Sequence, residues 1–227
     1  EDDSFDFSYY YPYYCGNRIS TMEQVEIEKH AEKESYAGIC DDVRLGVTLI
    51  FYLQNVPDYL AVKNNKFYQN QSEGVILGAL STEGKVLLPV NKTEQKNPPT
   101  QQNTDERNRL IAEARNGNED AIENLTLEDM DTYSMISKRV TKEDVYSIVK
   151  TTFMPYGIES DKFAVIGQIK EFHKLTNYVT MEELYVMHLE SNDLEFDVCI
   201  NAKDLLGLPE VGRRFKGNIW MQGTVEF

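Results

Sequence analysis

His30-Ala-Glu32-Lys-Glu34, followed by Cys40, Asp41 and Asp42, is the densest set of metal-ligand types in this sequence. Imidazole, thiolate and carboxylate all bind divalent metals. The spacing matches neither the C-x-x-C nor the H-E-x-x-H pattern of zinc sites. On a strand His30, Glu32 and Glu34 share one face, which reads equally as a solvated face, so no metal ligand and no cofactor is assigned. Nucleophilic chemistry needs Cys15, Cys40 or Cys199 beside His30, His173 or His188. A hairpin about the turn SNDL, with Glu190 opposite Leu194 or a near neighbour, puts His188 near Phe196 and only roughly near Cys199. The chain has no G-x-S-x-G, no P-loop and no G-x-G-x-x-G. No catalytic residue is therefore assigned. An enzyme with a carboxylate, His30 or Cys40 site in the N-terminal part stands as the alternative.

Binding chemistry has a better candidate. The segment VGRRFKGNIWMQGTVEF ends the chain and holds its only tryptophan. Read as one strand, Phe215, Gly217, Ile219, Met221, Gly223, Val225 and Phe227 face a core. Arg214, Lys216, Asn218, Trp220, Gln222, Thr224 and Glu226 then share the other face. Stacking and charge on such a face are how OB-type barrels hold ligands. The opposing reading packs Trp220 at a junction and pairs Arg214 and Lys216 with acids such as Glu195 and Asp197. In SYYYPYY, Tyr10 and Tyr13 stand for an aromatic ligand shelf, against ordinary cross-strand packing. The candidate ligand or partner residues are thus Arg214, Lys216, Trp220, Gln222, Tyr10 and Tyr13.

These residues must be positioned by an α+β chain in three parts. Residues 1–103 read as mixed and β-rich. Leu45–Asn55 is a buried strand, Pro57 starts a short helix, and Gly74–Val90 reads as a hairpin turning at Ser81–Gly84. The polar, proline-bearing stretch Asn91–Thr104 is a linker. Residues 104–160 switch to helical spacing, with Thr104 as an N-cap, an apolar stripe at Leu110, Ile111 and Ala114, and Gly117 as a C-cap. Ala121, Ile122 and Leu125 suit a second short helix. Thr126/Asp129 and Thr141/Asp144 resemble capping boxes ahead of Met130, Tyr133 and Ile136, and of Val145, Ile148 and Val149. FMPYGIESD ends the helices. Residues 161–227 alternate with period two and predict a small OB-like or SH3-like β-barrel, with LEFDVCI (Leu194–Ile200) its cleanest strand.

Composition narrows the partners. The formal net charge is −15, and the acid excess is spread along the chain. Such a field repels phosphate backbones and anionic membranes. No apolar run reaches the ~18 residues of a membrane helix. Three widely separated cysteines fit a reducing compartment better than a disulfide scaffold. The acidic start, EDDSFDFSYY, lacks the basic and apolar regions of a signal peptide, and no initiator methionine is present.

The segments HAEKESYAGICDD, LTLEDMDTYSMISKRV, FMPYGIESD and FDVCINAKDLLGLPEVGRRFKGNIWMQG together resemble a bacterial family known as a domain of unknown function. The resemblance spans about Glu28 to Phe227. It implies a cytosolic bacterial protein, longer at its N-terminus, and it transfers no activity and no site residue. The leading expectation is a non-catalytic cytosolic binding or scaffold protein with a protein or peptide partner, acting near Trp220 or the N-terminal tyrosines. An OB-type oligonucleotide binder is the weaker alternative.

Overall fold

Leu194, Phe196, Val198 and Ile200 alternate along one strand and are all buried to within 1%, and the same period two builds most of the molecule. The computed structural model describes residues 11–30, 35–42, 44–64, 72–90, 109–127, 130, 145–157 and 161–227. Among the described residues there are eleven strands: β1 (Ile19–Thr21), β2 (Glu26–Lys29), β3 (Tyr36–Cys40), β4 (Leu49–Leu53), β5 (Gly74–Leu87), β6 (Thr152–Pro155), β7 (Lys162–Thr176), β8 (Glu183–Ser191), β9 (Leu194–Asn201), β10 (Leu205–Leu206) and β11 (Arg214–Glu226). The helices are α1 (Val56–Asn64), α2 (109–115), α3 (119–127) and α4 (Val145–Ile148). The class is α+β with strand dominating. None of the helices described is long and apolar enough to cross a membrane.

The pairings close on themselves. β5 pairs with β9, β9 with β8, β8 with β7, β7 with β11, and β11 again with β5. All are antiparallel except β5–β9. A meander β4–β3–β2 extends from β11, whose Gln222 lies opposite Tyr52 of β4. β1 and β10 pair with β5 on either side of its β9 pairing, and β6 adds to β7. Inside the circuit sit Leu77, Phe163, Ile169, Met187, Leu189, Phe196, Phe215 and Met221. Each such side chain contributes roughly 1.5–3 kcal/mol by leaving water. Strand β5, from the N-terminal part of the sequence, lies between β9 and β11 from its C-terminal end. The sheet therefore runs across the division at residue 103.

Several local readings change. Gly74–Val90 does not turn at Ser81–Gly84, because Gly74–Leu87 is one 14-residue strand. Gly84 and Gly217 lie opposite one another in β5 and β11. A side chain at either would strike the Phe215 ring, at 2.6 Å in the case of Gly217. Gly84 thus makes room for an aromatic ring rather than for a turn. Thr126 does not cap a helix start. It lies within α3 and its hydroxyl donates to the Ile122 carbonyl at 2.7 Å. The cap of α3 is Asn118, whose Oδ1 accepts from the Ala121 amide at 3.2 Å. Part of FMPYGIESD is strand β6.

Other readings hold. Gly117 ends α2 at φ +86°, and Pro57 lies in the first turn of α1. Asn192 and Asp193 take φ +51° and +61° in the β8–β9 turn, the backbone a two-residue hairpin favours. Tyr10, Glu32, Glu34, the linker 91–104 with Thr104, Asp129, Tyr133, Ile136 and the box Thr141/Asp144 lie outside the described residues.

Candidate functional site

β11 carries the predicted binding residues on its outer face, and the structure gives each a different fate. Arg214 is 3% exposed. Its Nη1 donates to the Val149 carbonyl at 2.5 Å and its Nη2 to the Tyr146 carbonyl at 2.6 Å. Nε and Nη2 also donate to the Leu88 carbonyl, at 3.0 and 2.7 Å. Carbonyls at the end of a helix lack the donors of a further turn, and a cation is a favourable partner there. Burial pulls the guanidinium pKa down. The pairing of Arg214 with Glu195 or Asp197 is therefore wrong: those acids hold His188, and Arg214 ties α4 to the end of β5.

That tie places Tyr146 against Lys216. The Lys216 ammonium sits 4.2 Å from the Tyr146 ring centroid and donates to its hydroxyl. Lys216 lies directly opposite Lys85 in the β5–β11 register. Both line an open cleft of about 610 Å³. Glu83, Asn218, Asp204 and Thr152 supply further polar walls, and Ala164 and Ile166 of β7 give it an apolar side. The Asn218 amide donates to Glu83 Oε1 at 3.4 Å. Of the predicted residues that the structure describes, Lys216 alone lines this cleft. Lys85 and Tyr146 were missed, since neither sits in a pattern that announces a neighbour so distant in sequence.

Trp220 and Gln222 serve packing. Trp220 is half-buried, and its Nε1–H donates to Asp161 Oδ2 at 2.7 Å. Its ring meets Tyr52 at 5.4 Å and Tyr11 at 6.3 Å, edge-on in each case. Tyr13 is 66% exposed and meets Tyr11 at 6.4 Å. Gln222 is fully buried. Its Oε1 accepts from the Tyr14 amide at 3.2 Å and from Gln54 Nε2 at 3.0 Å, while its Nε2 donates to the Pro12 carbonyl at 2.9 Å. This pins the N-terminal segment across the sheet. At Gly78, a Cβ would lie 2.5 Å from the Tyr14 carbonyl, so that segment approaches β5 backbone to backbone.

The chemical alternatives are also located. His188 pairs with Asp197 across β8–β9, one residue off the predicted register, and Cys199 pairs with Val186. The imidazole contacts Asp197 Oδ1 through Nδ1 at 2.8 Å and Glu195 Oε2 through Nε2 at 3.2 Å. Burial pushes the Cys199 thiol up to about 11. Burial, then the charge of Asp42, pushes Cys40 up to about 12. Burial thus works against a thiolate at both Cys40 and Cys199. In the N-terminal cluster, Asp41 accepts from Thr48 and Asp42 is held by Arg44 and Thr21. Burial works to raise the Asp42 carboxyl, but the Arg44 and Thr21 bonds outweigh it and hold it low. Among the described residues, no three His, Cys, Asp or Glu side chains converge as metal ligands.

No curated protein and no solved structure matches the chain. One family model does, over residues 1–223, described as a domain of unknown function after an E. rectale gene. With that match running nearly end to end, the chain belongs to the DUF3881 family.

Proposed function

We propose that this chain is a non-catalytic binding protein of the cytoplasm, built on a closed OB-like barrel, whose ligand site is the cleft beside Lys216. The carrying observation is the cleft itself. Its volume of about 610 Å³ lies in the range of small-molecule sites, and it joins an apolar side to convergent polar groups. The barrel reading rests on the closed circuit of five strands, with β7, β8 and β9 as its consecutive meander. Three free cysteines, two of them buried, favour a reducing compartment.

An oligonucleotide ligand is disfavoured by the same comparison. OB barrels take nucleic acid on the face of their second and third strands, which here are β8 and β9. That outer face carries Val186, His188, Asp197 and Cys199, all buried. Tyr14 lies over it, close enough that Asp197 and Cys199 add to the burial that raises its phenol to about 12. The face is covered and acidic. Fragment screening by amide NMR tests the proposal. Shifts that cluster on Lys85, Tyr146, Lys216 and Asn218 support it. Shifts confined to the Trp220 surface, or no binding anywhere, reject it.

A further inference from the structure

We infer that the cleft takes a small ligand bearing an anionic group, phosphate or carboxylate, seated between Lys85 and Lys216. The inference rests on the cleft being the ligand site. Directly opposed residues of an antiparallel pair share a face, with Cβ atoms about 4.5–5.5 Å apart. Two lysines in that relation repel, and a sheet without another use for them gains nothing from the arrangement. Neither ammonium forms an ion pair among the described residues, although the protein has 38 acidic side chains to offer. Lys216 is instead held on an aromatic ring and a hydroxyl, neutral partners that orient the cation without cancelling its charge.

An anion between the two ammonium groups turns the repulsion into two charge-assisted hydrogen bonds. The Tyr146 hydroxyl and Asn218 amide lie on the same cleft as further polar contacts. Glu83 and Asp204 also line it. They discourage a polyanion and favour a ligand whose remainder carries hydroxyl or amino donors. Nucleic acid and pyrophosphate-rich ligands fit poorly. A small metabolite with a single anionic group, such as the phosphate of a sugar or polyol phosphate or the carboxylate of an amino acid, fits the charge pattern.

Glycerol phosphate, glycine, inorganic phosphate and uncharged glycerol are the probes, followed by amide NMR on the whole chain. The expected result is saturable shifts at Lys85, Lys216 and Asn218 with glycerol phosphate or glycine, and none with glycerol. Whichever of those two binds more tightly identifies the anion as phosphate or carboxylate. Lys85→Gln or Lys216→Gln should each weaken binding roughly tenfold, the worth of one charge-assisted hydrogen bond. Added potassium chloride should weaken wild-type binding as well, a readout independent of variant folding. Equal binding of glycerol and glycerol phosphate, affinity indifferent to salt, or no anion binding at all would overturn the inference. If uncharged fragments still occupy the cleft in that case, the binding-site proposal survives and only the anion is lost.

Discussion

Arg214 has the sequence position of a ligand-binding cation and the surroundings of a structural one. Its donors serve carbonyls of Leu88, Tyr146 and Val149, all from segments far upstream. Period-two alternation correctly assigns it to the outer face of β11, but alternation cannot tell which outer positions another segment covers. Arg214→Met should leave those carbonyls without donors. At about 1–3 kcal/mol for an unsatisfied buried group, a loss near 3 kcal/mol is expected in urea denaturation. Lys216 shares the same face and remains at an open cleft, so the two cations adjacent in pattern have opposite roles. The cysteines give a second test at this scale. Cys15 is exposed, whereas Cys40 and Cys199 are buried with thiols raised to about 12 and about 11. At pH 8 a disulfide thiol reagent should titrate Cys15 alone in the native protein and all three thiols in guanidinium. Rapid reaction of Cys199 in the native state would contradict the burial described for β9.

At the scale of elements, β9, β11 and the β8–β9 turn were readable because local chemistry decides them. Alternating apolar residues make the strands, and Asn192-Asp193 accepts the positive φ of the turn. β5 was misread as a hairpin because Gly84 in a polar Ser-Thr-Glu-Gly stretch carries the signature of a turn. The cause of that glycine is Phe215, which belongs to a strand on the far side of the central segment. Gly84→Ala should push against the buried Phe215 ring and cost about 1–3 kcal/mol, the usual range for overpacking. Thermal melting would register the loss. Gly84→Ala combined with Phe215→Leu should recover part of it, whereas a residue in a free turn would show no such coupling. The one-residue error in pairing His188 has a similar origin. A turn sequence specifies that a hairpin exists more firmly than which residues face each other.

Over the whole molecule, the circuit β5–β9–β8–β7–β11 is a long-range property. Its strands were mostly visible in the sequence, but the closing partner β5 was not, because the entire helical segment intervenes. The cleft inherits this. Lys85 comes from β5, Tyr146 from α4, and Lys216 from β11, and the β5–β11 pairing with the Arg214 tie to α4 brings them together. The aromatic N-terminal segment illustrates the converse. Its tyrosines read as a ligand shelf or as cross-strand packing, and the structure instead lays Tyr11 and Tyr14 across the sheet, spending Trp220 and Gln222 on that cover. The account therefore moves the site away from the only tryptophan and toward a lysine pair.

A crystal structure of the full chain soaked with small polar fragments tests that claim most directly. The account predicts fragment density in the cleft, in contact with Lys216 and Tyr146, and none displacing Tyr11 or Tyr52 from Trp220. Density on the Trp220 surface with the cleft left empty would contradict it.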